Sequence, residues 1–326
     1  MAKYLFKFEY LPNELIMKMF KYFDAHDLYN AFYNLNHRFN TLLQTVKYLS
    51  LNISSKEHIE QNYLQVMAPY IYTLTITQSM NVNLIHFIEL RRLSLVNPTA
   101  ELISQFDTSI VPYLEYLSVN CEALTYYMPD FIRKIFSNHF RNLRSCHLVG
   151  VEPIYTSEGW TQSPSIRILK VGFIDLFIYQ AILLACPNLY FLDLETSFST
   201  NTFSHSQSYM NLKRLNIKFP FKMWPRNEHV IGVFFACLPN LEQLTIHRVD
   251  ELSLSIPPLV NYDWLASKIS LYLPSLRQFT FNLHFCRKDR RFELAPDNVL
   301  NQLQENFKNV HNNLYQSRLV IDSFDP

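Results

Sequence analysis

The sequence predicts an α/β repeat solenoid, with short parallel strands alternating with helices, behind a small all-α module at the N-terminus. Three observations predict it. The stretch "ACPNLYFLDLE", from Ala185 to Glu195, has a near twin in "ACLPNLEQLTI", from Ala236 to Ile246, so two segments are entered through Pro-Asn-Leu and then alternate apolar with polar residues. Apolar residues at the first, fourth and sixth positions of the Leu189-x-x-Leu192-x-Leu194 template recur in ten segments, beginning at Val46, Ile71, Leu90, Leu114, Leu143, Ile166, Leu189, Leu212, Leu241 and Leu276. Proline stands two residues before the first position in six of the ten, at Pro69, Pro112, Pro164, Pro187, Pro239 and Pro274. The prolines decide the matter: a chain 48% hydrophobic meets the bare pattern often by accident, whereas 16 prolines in 326 residues give about 0.5 such coincidences by chance. An ordinary α/β domain with several similar strands is the alternative.

The N-terminal stretch "YLPNELIMKMFKYFDAHDLYNAFYNLNHRFNTLL" departs from the repeat. Pro12 suits the first turn of a helix, and Leu11, Leu15, Ile16, Met19, Phe20 and Phe23 are spaced to line it, with Met17 and Tyr22 widening the stripe. Asp24 or Asp27 can cap a second helix through Leu35, and Asn36 a third through Leu43. Three helices this short cannot cover apolar surface on so many sides, and a large exposed apolar patch marks a partner. Further along, "DFIRKIFSNHF", "LFIYQAILLAC", "HVIGVFFAC" and "DWLASKISLYL" carry apolar residues at helical spacing between the templates. Each unit therefore reads helix, proline turn, short strand, at intervals of 19 to 35 residues. Such a unit cannot bury its apolar face alone and stacks on its neighbour. Near the end, "PDNVLNQLQENFKNVHN" is helical, and either closes the solenoid or covers its face. The expected division is a three-helix module at 8–44, a solenoid of about ten repeats at 45–285 and a C-terminal cap at 286–326.

The Leu-x-x-Leu-x-Leu pattern, over about Val46 to His284, resembles the leucine-rich repeat family. That resemblance implies a solenoid with strands on its concave face and helices on its convex one. The family places Asn or Cys three residues after the third leucine; here Ser54 and Pro98 are among the residues in those places, which predicts looser turns and an irregular solenoid. The N-terminal residues Leu11-Pro12-x-Glu14-Leu15-Ile16, Phe20, Phe23-Asp24, Asp27-Leu28, Leu35 and Arg38-Phe39 resemble an F-box, although Phe39 stands where tryptophan is commoner and Asp27 to Leu35 is one residue longer than usual. The F-box resemblance implies a substrate receptor of Skp–cullin–F-box ubiquitin ligases. By it Leu11, Pro12, Ile16, Phe20, Leu28 and Leu35 would face the Skp adaptor, which links to cullin, and the repeats would hold a target protein. The alternative is a scaffold whose helices only cap the repeats or serve a non-ligase complex.

Composition narrows the remaining choices. A net charge of +1 and a pI near 7.7 supply no field drawing the chain to nucleic acid or an anionic membrane. No run of about 18 apolar residues occurs and "MAKYLFKFEY" is no signal peptide, so a cytoplasmic or nuclear location is expected. Five widely separated cysteines are expected to be reduced and buried. With four glycines, the chain has none of the glycine-rich loops or elbows that cradle phosphates or present nucleophiles. Cys146-His147 and His284-x-Cys286 lack the second pair a zinc site needs, so no metal is expected, nor any cofactor. Asp193 and Glu195 share one face of a strand, as paired acid/base carboxylates would, but in the repeat register that is the exposed face, where polar residues belong. The basic residues Arg287, Lys288, Arg290 and Arg291 and the hydroxyl-rich stretch 196–208 read as solvated loops. A non-catalytic protein is expected.

Recognition is the better use of the exposed face. The third, fifth and seventh template positions point outward, giving Phe191, Asp193 and Glu195, then Arg214, Asn216 and Lys218 on the next strand, with Ile168 and Lys170 before them. Neighbouring strands lie about 4.8 Å apart, so Lys170 is expected near Asp193, and Glu195 near Lys218. An exposed Phe191 among charges is an anchor for a protein target or else part of a solvated surface of lateral ion pairs.

Overall fold

The computed structural model describes residues 8–54, 61–77, 82–121, 128–150, 154, 156–196, 208–220, 228–251, 262–286, 297–311 and 315–324. The chain forms two compact units, one of residues 1–131 and 139–144 and one of 132–138 and 145–326.

The first unit opens with three helices, α1 (Asn13–Phe20), α2 (Ala25–Phe32) and α3 (His37–Thr45). Pro12 stands just ahead of α1, where its missing N–H costs nothing. Asp24 caps α2, accepting the Asp27 N–H at 2.8 Å, and Asn36 caps α3, accepting that of Phe39 at 3.0 Å. The second helix ends at Phe32, short of the expected Leu35, because Asn34 turns the chain at a φ of 61° and its N–H donates to Asn40 Oδ1 at 2.9 Å. Leu35 thus lies in a turn. The helices close on an aromatic cluster, with Phe20 and Phe32 rings 4.9 Å apart and Phe32 and Phe39 rings 5.5 Å apart.

Behind them come β1 (Leu49–Ser54), α4 (Gln61–Met67), β2 (Ile71–Thr77), β3 (Arg92–Val96), α5 (Ala100–Ser104) and β4 (Tyr116–Asn120). The four strands pair in parallel and in chain order. Helix α6 (Met128–Phe136) holds residues of both units.

The second unit continues with β5 (Ser145–Val149), β6 (Ile168–Ile174), α7 (Leu176–Ala185), β7 (Phe191–Thr196), β8 (Arg214–Phe219), α8 (Glu228–Ala236), β9 (Gln243–Glu251), α9 (Tyr262–Tyr272), β10 (Gln278–Cys286), α10 (Asp297–Val310) and β11 (Gln316–Phe324). All seven strands are parallel and in chain order, and the one break in register falls between Lys170 and Phe173, where β6 meets β7. The inward residues stack in rows: Leu169, Leu192, Leu215, Leu244 and Phe279 are register partners across five strands, and all are buried. Each row removes apolar surface from water only because the next unit covers it. Helix, turn and short parallel strand repeated in this way make an α/β leucine-rich-repeat solenoid, and each of the ten template segments carries one of β1 to β10.

Two features differ from expectation. Residues 286–326, expected as a cap, contribute α10 and a further strand, β11, in unbroken register with β10 from Gln278↔Gln316 to Cys286↔Phe324. The turns also carry an asparagine ladder in place of the looseness expected without one. Asn142 Nδ2 donates to the Pro112 carbonyl at 3.0 Å in the first unit. In the second, Asn188 donates to Pro164 at 2.9 Å, Asn211 to Pro187 at 2.9 Å and Asn240 to the Met210 carbonyl at 3.1 Å. The asparagine sits just before the template's first position, so in these four repeats the turn is fastened to the turn of the preceding one.

Candidate recognition surfaces

In the N-terminal helices, packing sorts the apolar residues in a way that spacing does not. Ile16, Phe20 and Leu28 are fully buried, so they build the core of the module and do not form its outer face. Leu11 is half-buried, Pro12 is exposed and Leu35 is 56% exposed. The outer face instead presents Leu15 and Met19, 45% and 37% exposed and four residues apart on one side of α1, with Phe23 at 37% and Tyr22 at 89%. Arg38 holds the segment leading into α1: its Nε donates to Asn13 Oδ1 at 2.7 Å, and its terminal nitrogens donate to the carbonyls of Glu9 and Leu11. With apolar residues on both sides of α1, only the placement of α2 and α3 decides which side is covered.

On the strand face of the second unit, the register brings the sequence-derived residues together. Phe191 lies beside Arg214, Asp193 beside Asn216 and Glu195 beside Lys218, with Ile168 and Lys170 beside Phe191 and Asp193. The ion pair, however, is diagonal: Lys218 Nζ lies 3.6 Å from Asp193 Oδ1, in place of the lateral pairs expected. A shallow hollow of about 250 Å³ opens here, between Ile168, Phe191, Arg214, Asn216, Gln243 and Thr245. The Arg214 guanidinium lies over the Tyr190 ring, 5.4 Å from its centroid. The Asn216 Oδ1 is fully buried and accepts no hydrogen bond among the described residues.

Next to the hollow, the sequence reading missed a polar cluster on β9 and β10. His247 and His284 stack with ring centroids 5.5 Å apart, and His247 Nδ1 is 3.2 Å from His284 Nε2. Asn282 Nδ2 reaches His247 Nε2 at 3.3 Å, which fits a neutral His247 that donates from Nδ1 and accepts at Nε2. Burial, first, then the neighbouring His284 and Lys218, hold the His247 pKa below its ordinary value. His247 is the register partner of Lys218, so the alternation extended by one strand was the signal that could have found it.

Cys146 is buried, and that burial pushes its thiol pKa far up, away from the reactive thiolate. Asp193 is ion-paired with Lys218. Among the described residues no group of three His, Cys, Asp or Glu could hold a metal ion, and no helix is long and apolar enough to cross a membrane. The Cys286 side chain, residues Arg287, Lys288, Arg290 and Arg291, and most of the stretch 196–208 lie outside the described residues.

No family model matches the chain, and no curated protein matches it. Among solved structures, Listeria monocytogenes InlP is similar over 85% of this chain and 66% of that chain, just under two thirds, at 15% identity and a TM-score of 0.37. An internalin (inlF) from Listeria monocytogenes is similar over 93% of this chain and 89% of that chain, at 11% identity and a TM-score of 0.44.

Proposed function

We propose that the chain is a non-catalytic substrate receptor of a Skp–cullin–F-box type ubiquitin ligase, its N-terminal helices binding the Skp adaptor and its repeats holding a target protein. The observation that carries this reading is the exposed apolar stripe of Leu15, Met19, Tyr22 and Phe23 on a module whose core is already complete. Leu35 and Pro12 are exposed as well. The chain's contribution is proximity: holding a target near a ligase raises the effective concentration for transfer with no chemistry of its own. The test is a pull-down with purified Skp adaptor, wild type beside a Leu15→Asp, Met19→Asp double variant. Both positions are on the surface, so the variant is expected to melt like wild type and to lose the adaptor. A well-folded wild type that fails to bind overturns the proposal.

One observation favours a second reading, in which the helices only cap the repeats. Tyr29 of α2 meets Tyr63 of α4 edge-on with ring centroids 4.9 Å apart, and His26 meets the same ring at 5.7 Å. That contact covers the far side of α2 and leaves Leu15 and Met19 unexplained, which is why it ranks second.

A further inference from the structure

The hollow on the second unit has a distinctive polarity. Its walls are apolar at Ile168 and Phe191, and its lining includes one cation, Arg214, and no carboxylate. Nearby cations are neutralised within the fold, Lys213 by Glu242 at 3.3 Å and Lys218 by Asp193 at 3.6 Å. Arg214 has no carboxylate partner among the described residues; its flat face rests on Tyr190, and its edge N–H groups remain for an anion. Lys170, two strands from Arg214, adds a second cation without an ion pair among the described residues, while Glu195 is not part of the lining.

A ligand that satisfies all of these must carry an apolar group and a negative charge at short spacing. We propose that this face binds an extended peptide segment in which an apolar side chain adjoins an aspartate or glutamate, the apolar group seated between Ile168 and Phe191 and the carboxylate on Arg214. The row continues as Gln243, Gln278 and Gln316, register partners of Arg214 on successive strands, with Gln278 Nε2 donating to Gln316 Oε1 at 3.2 Å. Glutamine amides in a row offer donors and acceptors to a peptide backbone crossing the strands. Five gaps of about 4.8 Å from β6 to β11 span about 24 Å, which an extended chain rising about 3.3 Å per residue covers in about seven residues. The inference rests on the reading of this face as target-binding and does not depend on the adaptor.

The experiment uses the full chain and an array of acetylated, amidated heptapeptides with an apolar–acidic pair at the centre, each beside versions with Asn or Gln and with Lys in place of the acid. Wild type is expected to retain acidic peptides at least tenfold better than their amides. Arg214→Glu reverses the preference toward lysine, and Gln243→Ala weakens retention without changing the preference. Retention of no peptide, equal retention of acid and amide, or indifference to Arg214→Glu with an unchanged melting temperature overturns the inference. The same proteins are offered the Skp adaptor. Adaptor binding without peptide selection removes this inference and leaves the ligase role, while peptide selection without adaptor binding does the reverse.

Discussion

Removing the turn asparagines measures how much the ladder contributes to the stack. In the variant Asn188→Ala, Asn211→Ala, Asn240→Ala, three donors to the carbonyls of Pro164, Pro187 and Met210 are lost. A net hydrogen bond is worth about 1 kcal/mol, and these lie at exposed turns where water reaches the vacated carbonyls, so the loss is about 2–3 kcal/mol for the triple. The single losses do not simply add, because Asn211 Nδ2 also approaches Asn188 Oδ1 at 3.4 Å, which couples the two sites. A Asn211→Asp variant separates hydrogen bonding from shape: it keeps the volume but turns a carboxylate toward a carbonyl, so it costs more than alanine at pH 7. The difference shrinks as the pH falls through the carboxylate range of about 4 and the added proton restores a donor. Urea unfolding followed by tryptophan fluorescence reads the second unit alone, since Trp160, Trp224 and Trp264 all lie in it. A triple variant that loses less than about 0.5 kcal/mol, or an aspartate variant no worse than alanine, refutes the assignment of stability to these bonds.

Two other outcomes follow from buried groups. Phe20→Ala removes a fully buried ring from the Phe32 and Phe39 cluster and is expected to cost about 3–5 kcal/mol in the N-terminal module, seen as an early loss of far-ultraviolet helix signal; adaptor binding then falls with stability, unlike the Leu15→Asp, Met19→Asp pair. His311, packed against Phe279 and Phe307 and bonded to Tyr315 Oη at 2.7 Å, has its pKa lowered by burial from 6.5 to about 4. The unfolded chain therefore takes this proton first: the stability is present above about pH 6.5 and is lost as the pH falls toward about 4. A His311→Gln variant is expected to show a flatter melting temperature between those values, and an unchanged slope refutes the role.

The strands were legible because their signal is local. Each needs only apolar residues one, four and six along, with a proline to mark the turn, and all ten segments carry strands whose outward residues include Phe191, Asp193, Arg214 and Asn216. The ladder lies before the strand, in Pro-Asn-Leu, whereas the leucine-rich repeat pattern predicts asparagine after it. Which side of α1 faces solvent was not legible, because Ile16 and Leu15 are equally apolar and adjacent, and only the arrival of Phe32 and Phe39 buries one and leaves the other. The diagonal Lys218 to Asp193 pair and the orphaned Asn216 oxygen depend on rotamers, which no periodicity encodes.

The break in register between Lys170 and Phe173 has a mechanical consequence. In the second unit, strand order equals chain order, so tension applied to its two ends loads the junctions between strands in series, and the weakest yields first. Where β6 meets β7 the ladder of backbone bonds is interrupted, while β9, β10 and β11 pair without a gap over nine residues each. Under a steady pull the unit therefore parts on its N-terminal side, at β5–β6, which pairs over four residues, or at the interrupted β6–β7 junction beside Phe191, before β9 to β11 yield. A ligand that bridges Ile168 and Phe191 acts as a clasp across that seam and raises the force needed to open it.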